Sequence, residues 1–215
     1  MIYSVILLGL LVQVMYFLFV DFLEESRTKE MQAYTPSSKK AKLEAGVRGE
    51  LEVAKLLSTL DREKYTVING VVVQGEYATE FDHIVVTDKA IFHVETKNYG
   101  GHIRIDQNGN WIRERYGTMD VLPNPRFQIA RQEGVLKSIF GDSVPIIPIL
   151  VIANHKTTIE GINNTNLNVM KSGQLIDFIH SLEKNSTISF PWQRAILTKR
   201  LVERIVAKRL NYSHV

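Results

Sequence analysis

Cysteine is absent from this chain of 215 residues, which excludes a disulfide framework, a thiolate metal site and a cysteine nucleophile. Any metal must be held by oxygen or imidazole ligands. The six histidines include no H-x-x-x-H or H-E-x-x-H pair, so a zinc site of that kind is not indicated. Neither a G-x-S-x-G elbow nor a G-x-x-x-x-G-K loop ending in Ser or Thr occurs, which removes a serine hydrolase triad and a phosphate-loop NTPase. Repeats and low-complexity tracts are also missing. With 45% hydrophobic and 23% charged residues, the length suits one well-packed domain plus extra segments. The formal charge of +3 is compatible with nucleic acid or anionic lipid and demands neither.

Charge is missing altogether from Ile2 to Val20. As a helix this run spans roughly 28 Å, enough to cross a bilayer. Gln13 is its only strongly polar residue, and Tyr3, Tyr16 and Phe19 lie toward the ends, where aromatic side chains favour the interface. A signal peptide needs a basic start, a shorter apolar stretch and small residues at the cleavage point. No Lys or Arg precedes the run, and Phe19, Val20, Asp21 and Phe22 make a poor cleavage site, so residues 1–22 are expected to be a transmembrane helix. Arg27, Lys29, Lys39, Lys40 and Lys42 follow it and predict a single-pass protein of the cell membrane with its soluble part cytoplasmic. Residues 23–43, with Pro36, form a juxtamembrane linker.

Beyond the linker, Leu43, Val47, Leu51, Ala54, Leu57 and Leu60 recur at helical spacing, which predicts an amphipathic helix over 43–60 with Glu50 on its polar face. The β-branched runs YTVINGVVV, EFDHIVV and AIFHVETK read as a strand meander, and HIRIDQNGNWIRER as a further hairpin turning at Asn108 and Gly109. A helix over 126–140, a buried strand over 144–153 and helices over 172–183 and 191–210 complete the map. The expected class is α/β with a mixed sheet.

One juxtaposition carries chemistry. If the strands at 80–87 and 90–97 form a hairpin with Asp88 and Lys89 as its loop, Asp82 falls opposite Glu95 and Glu80 opposite Lys97, with opposed Cβ atoms ~5 Å apart. Two carboxylates are thereby forced together, which destabilises a sheet unless a proton or cation lies between them. A hard divalent cation suits such oxygens, and Lys97 shares their face. That set fits phosphodiester hydrolysis, in which a metal activates water and a cation offsets charge on the phosphate. The bare spacing is also met by a solvated sheet face on which Glu80 pairs with Lys97.

The strings GVRGELEVAKLLSTL, EFDHIVVTDKAIFHVETKNYGGHI, NGNWI and NPRFQIARQ resemble, in order, the elements of the nuclease-related domain, a branch of the PD-(D/E)XK nuclease superfamily. The resemblance covers roughly residues 44–155. It implies a restriction-endonuclease-like αβββαβ core, which sets the nuclease-like domain at 44–160; residues 161–215, outside the resemblance, are expected from their apolar stripe to be a helical extension packed on it. The resemblance also implies metal-dependent cleavage of nucleic acid, DNA rather than RNA, with Mg2+ or Mn2+ held by Asp82 and Glu95 and a backbone carbonyl near Thr96. Lys97 becomes the catalytic lysine, joined by Glu50 from the first helix and Gln128 from the second. No organic cofactor is implied, and a homodimer is left open.

Plainer readings stand beside these. Glu50 lies near a helix start, where the dipole favours carboxylates, and Gln128 could face solvent. Gly100 and Gly101 most simply permit a tight turn. His93 shares the face of Glu95 but reads as a packed sheet residue, and His83 points to the other face. Arg194, Lys199, Arg200, Arg204, Lys208 and Arg209 line the expected last helix, which packs on the domain or grips phosphates or anionic lipid.

Overall fold

The structure, a computed structural model, describes residues 39–185 and 193–208. The chain divides into two units, Met1–Leu43 and Glu44–Val215. The expected transmembrane helix and all but the end of the linker lie outside the described residues. Among the described residues no helix is long and apolar enough to cross a membrane.

Helix α1 (Lys39–Leu57) leads into strands β1 (Thr66–Gln74), β2 (Ala78–Val86) and β3 (Ile91–Lys97). A small insertion follows, β4 (His102–Ile105), β5 (Trp111–Arg115) and β6 (Thr118–Leu122), before α2 (Pro125–Phe140) and β7 (Ile146–Ile152). The chain closes with β8 (Thr158–Glu160), β9 (Asn168–Lys171), α3 (Leu175–Asn185), α4 (Gln193–Val202) and β10 (Ile205–Lys208). Two mixed sheets result, one ordered β10-β1-β2-β3-β7-β9 and one ordered β6-β5-β4-β8. The αβββαβ order is present as α1, β1, β2, β3, α2 and β7. Strands β1 to β3 run antiparallel, and β7 joins β3 in parallel, the connection passing through α2 as parallel pairing requires.

Each face of the large sheet carries a core. Phe92 and Val94 of β3 pack with Val53 and Leu57 of α1 and Ile179 of α3. Ile91 points the other way, into Phe81, Ile84, Leu136 and Phe140, with Leu197 and Leu201 of α4. Such alternation is what the period of two imposes on a strand covered on both faces. A third cluster ties the insertion down: Ile103, Ile105, Trp111 and Leu122 meet Ile129 of α2 and Leu150 and Ile152 of β7.

The C-terminal region departs from expectation. Residues after 160 contribute strands as well as helices, and the helix expected over 191–210 stops at Val202. After a turn at Glu203 and Arg204, whose N–H groups bond the carbonyls of Lys199 and Leu201, Ile205–Lys208 pairs antiparallel with β1. The apolar pairs at 201–202 and 205–206 fit a helical stripe, but β-branched Ile205 and Val206 also suit a strand. The bare edge of β1 decides, because its backbone groups gain partners only from a strand.

The second hairpin forms as expected, with Asp106 accepting the N–H of Asn108 and Asn110 and the Gly109 N–H bonding the Asp106 carbonyl. It continues into β6 through Tyr116 and Gly117, both at positive φ (53° and 75°), the signature of a two-residue type I′ turn. Gly101 is required for a different reason. Its φ is 96°, and a Cβ there would lie 2.5 Å from the carbonyl oxygen of Glu114. The glycine serves close approach of β5, in place of the simple turn expected at 100–101. Gly101→Ala is expected to cost about 2 to 5 kcal/mol, the sum of a left-handed backbone and an overpacked contact. Thermal denaturation checks this.

Candidate active site

The site forms where the middle of the large sheet divides. The β2–β3 ladder runs from Val86–Ile91 to His83–Val94 in the register expected from the Asp88–Lys89 loop, and one further step sets Asp82 opposite Glu95. There the ladder stops. Glu80 stays paired with Val72 of β1, and Lys97 stays paired with Ile152 of β7, so the expected pairing of Glu80 with Lys97 does not form. By ladder alternation the Thr96 N–H would bond the Phe81 carbonyl; instead it donates to Oδ2 of Asp82 at 2.9 Å. The Asp82 carboxylate thus sits in the fork between the strands, and both Asp82 and Glu95 are buried, at 4% and 2% exposed.

Helix α2 covers the fork. Asn124 caps it by accepting the N–H of Arg126, and Pro125 fixes its first turn. Gln128 and Gln132, four residues apart, therefore share one face. Nε2 of Gln128 donates to Oε1 of Glu95 at 2.7 Å, and Nε2 of Gln132 donates to Oε2 at 2.9 Å and to the Glu80 carbonyl at 2.9 Å. Each carboxylate oxygen of Glu95 is gripped by one amide. Lys97 Nζ donates to the same Oε1 at 2.8 Å and to Oε1 of Gln128 at 2.9 Å.

The charges agree with this geometry. Burial pulls the Lys97 ammonium down, but the charge and hydrogen bond of Glu95, with Tyr99 and Asp82 behind them, outweigh it and hold its pKa above the usual lysine value. His93 is pushed down to about 4 by burial, only partly opposed by Glu95 and Glu133. It packs edge-on against Phe81, with centroids 5.3 Å apart. The reading of His93 as a packed sheet residue holds.

Glu50 is half-buried on α1. Its neighbour Gly49 is where α1 meets the end of β3: a Cβ there would lie 2.8 Å from the Asn98 Cβ, and Asn98 donates to the Ala45 carbonyl at 2.6 Å. Sequence reasoning brought together Asp82, Glu95, Lys97, Gln128 and Glu50; the structure gathers the first four around the fork, and no third carboxylate joins Asp82 and Glu95 in a metal-holding cluster among the described residues. Sequence reasoning missed Gln132, although the i, i+4 spacing from Gln128 was a usable signal. It also missed Tyr99, Arg113 and Arg115. Trp111, Arg113 and Arg115 alternate onto the inner face of the small sheet, and Arg113 holds Asp120 through Nε at 3.1 Å. An Arg115 guanidinium nitrogen comes within 3.9 Å of where a Cβ on Gly100 would stand, three residues past Lys97.

The chain is 32% identical over 105 residues to an uncharacterized protein of Bacillus anthracis, a match covering 47% of this chain and 50% of that protein. It thus spans about half the length of that curated relative. The crystal structure of AF1548, a protein of unknown function, is similar over 73% of this chain and 79% of that one, with 12% identity and a TM-score of 0.35. The family model described as the nuclease-related domain matches residues 45–153, half of the chain and every member of the Asp82, Glu95, Lys97, Gln128 and Gln132 cluster. The chain belongs to the nuclease-related domain family.

Proposed function

We propose that this chain is a metal-dependent nuclease that hydrolyses phosphodiester bonds, in DNA more readily than in RNA, and is held at the cell membrane by residues 2–20. The observation that carries the reading is the fork between β2 and β3, where two buried carboxylates stand beside a lysine that hydrogen-bonds one of them. A buried carboxylate pair without a purpose is costly in a sheet.

Among the described residues no cluster of three or more His, Asp or Glu gathers to hold a metal. Asp82 and Glu95 therefore offer a donor set of two carboxylates. Magnesium and manganese fit such a set, because these hard cations take one or two carboxylates and complete their shells with water and substrate phosphate oxygens. Glu95 Oε2 accepts one hydrogen bond, from Gln132, which leaves it room for another partner. When bound, the metal would lower the pKa of a water and offset charge on the phosphate. Lys97 would place its ammonium against the same developing charge, and Gln128 and Gln132 would keep Glu95 oriented. The apolar run at 2–20 and the basic residues after it support the anchor, with the catalytic unit on the cytoplasmic side.

The test uses the full chain in detergent, incubated with plasmid, linear duplex, single-stranded DNA and RNA, with Mn2+ or Mg2+ and with chelator. Cleavage that needs metal and prefers DNA is the expected outcome. Metal binding with no cleavage of any substrate would instead mark a non-catalytic module tethering nucleic acid or a protein partner.

A further inference from the structure

Phe127 is 77% exposed, on the first turn of α2 and adjacent to Gln128, the residue that bridges Lys97 and Glu95. Its exposed ring, next in sequence to a residue that bonds Lys97 and Glu95, leaves an aromatic face open to a partner. Two further observations surround it. On the same helix, Arg126 and Arg131 are exposed, and Arg131, four residues on, shares the face of Phe127. Past the end of β3, a guanidinium nitrogen of Arg115 of β5 comes within 3.9 Å of where a Cβ on Gly100 would stand, and the guanidinium lies 5.5 Å from the centroid of the half-exposed Tyr116 ring. Aromatic faces flanked by arginines are the chemistry that holds unpaired bases and the phosphates between them.

From this we infer that the site takes an unpaired nucleic-acid strand, one base stacking on Phe127 while Arg115 and Arg131 hold phosphates on either side of the Lys97 centre. In a duplex the base faces are covered by neighbouring pairs, so Phe127 finds no partner there. The inference rests on the nuclease reading for what happens to the strand, but the binding itself does not need cleavage.

The experiment measures fluorescence anisotropy with the full chain in detergent and chelator, so that nothing is cut. The probes are a labelled 20-nucleotide single-stranded DNA, the same sequence as RNA, and the DNA duplex. Phe127→Ala is expected to weaken single-strand binding about tenfold, to leave duplex binding within about twofold, and to leave the melting temperature unchanged; Phe127→Trp is expected to restore the affinity. Arg115→Ala is expected to weaken both DNA forms and to flatten the salt dependence by about one phosphate contact. Equal loss on single strand and duplex in Phe127→Ala, or no loss on either in that variant, overturns the inference. The RNA arm tells whether the strand is read as DNA or by stacking alone. Selective single-strand binding without metal-dependent cleavage would sink the nuclease reading and leave this site standing, whereas cleavage indifferent to Phe127 would do the reverse.

Discussion

Lys97→Ala is expected to lower kcat for phosphodiester cleavage by about 10³-fold, the range found when one group that stabilises transition-state charge or moves a proton is removed. The geometry says why this loss would be specific. Without the ammonium, Glu95 still accepts Gln128 on Oε1 at 2.7 Å and Gln132 on Oε2 at 2.9 Å, so its carboxylate stays in place. What goes is the positive charge at 2.8 Å from Oε1. A carboxylate only 2% exposed then faces burial with amide partners alone, which costs stability. The variant should therefore melt below the wild type in chelator and recover when Mn2+ is added, because the cation replaces the missing charge. Melting curves with and without Mn2+, beside single-turnover cleavage, separate loss of chemistry from loss of fold.

Trp111→Ala is expected to destabilise the chain by about 3 to 5 kcal/mol, the cost of emptying a large buried site. Trp111 is fully buried and its indole N–H has no hydrogen-bond partner among the described residues, so the loss is one of packing. It is the largest side chain in the cluster joining the small sheet to Ile129 of α2 and Leu150 and Ile152 of β7. Ile129 follows Gln128 directly, and Arg113 and Arg115 lie two and four residues beyond Trp111 on the same strand face. The cavity would thus loosen both walls of the site, and single-strand affinity should fall along with stability. Urea denaturation reads the first effect, and anisotropy on the folded variant reads the second.

Some of this was legible in the sequence because it depended on neighbours. The Asp88–Lys89 loop sets the β2–β3 register by counting, and that register puts Asp82 opposite Glu95. The hairpin at Asn108–Gly109 and the helix after Pro125 follow from local turn and capping chemistry. Other parts depend on partners far along the chain. Ile205–Lys208 becomes a strand because β1, more than a hundred residues earlier, has an open edge. Strands β6, β8 and β9 are too short for any period to announce them. Counting could not foresee that the ladder ends at His83–Val94, because that depends on β2 staying with β1 and β3 with β7. The inward turn of Arg113 and Arg115 needed the position of the whole small sheet, whereas Gln132 needed only the helical spacing from Gln128.

The central claim is that Asp82 and Glu95 form one cation site across the fork between β2 and β3. Electron paramagnetic resonance of Mn2+ titrated into the full chain and into Asp82→Asn tests it most directly. The account predicts saturable binding by the wild-type chain, weakened at least about tenfold in the variant as expected for loss of a ligating carboxylate. No saturable binding by the wild-type chain, or binding that Asp82→Asn leaves unchanged, would contradict it.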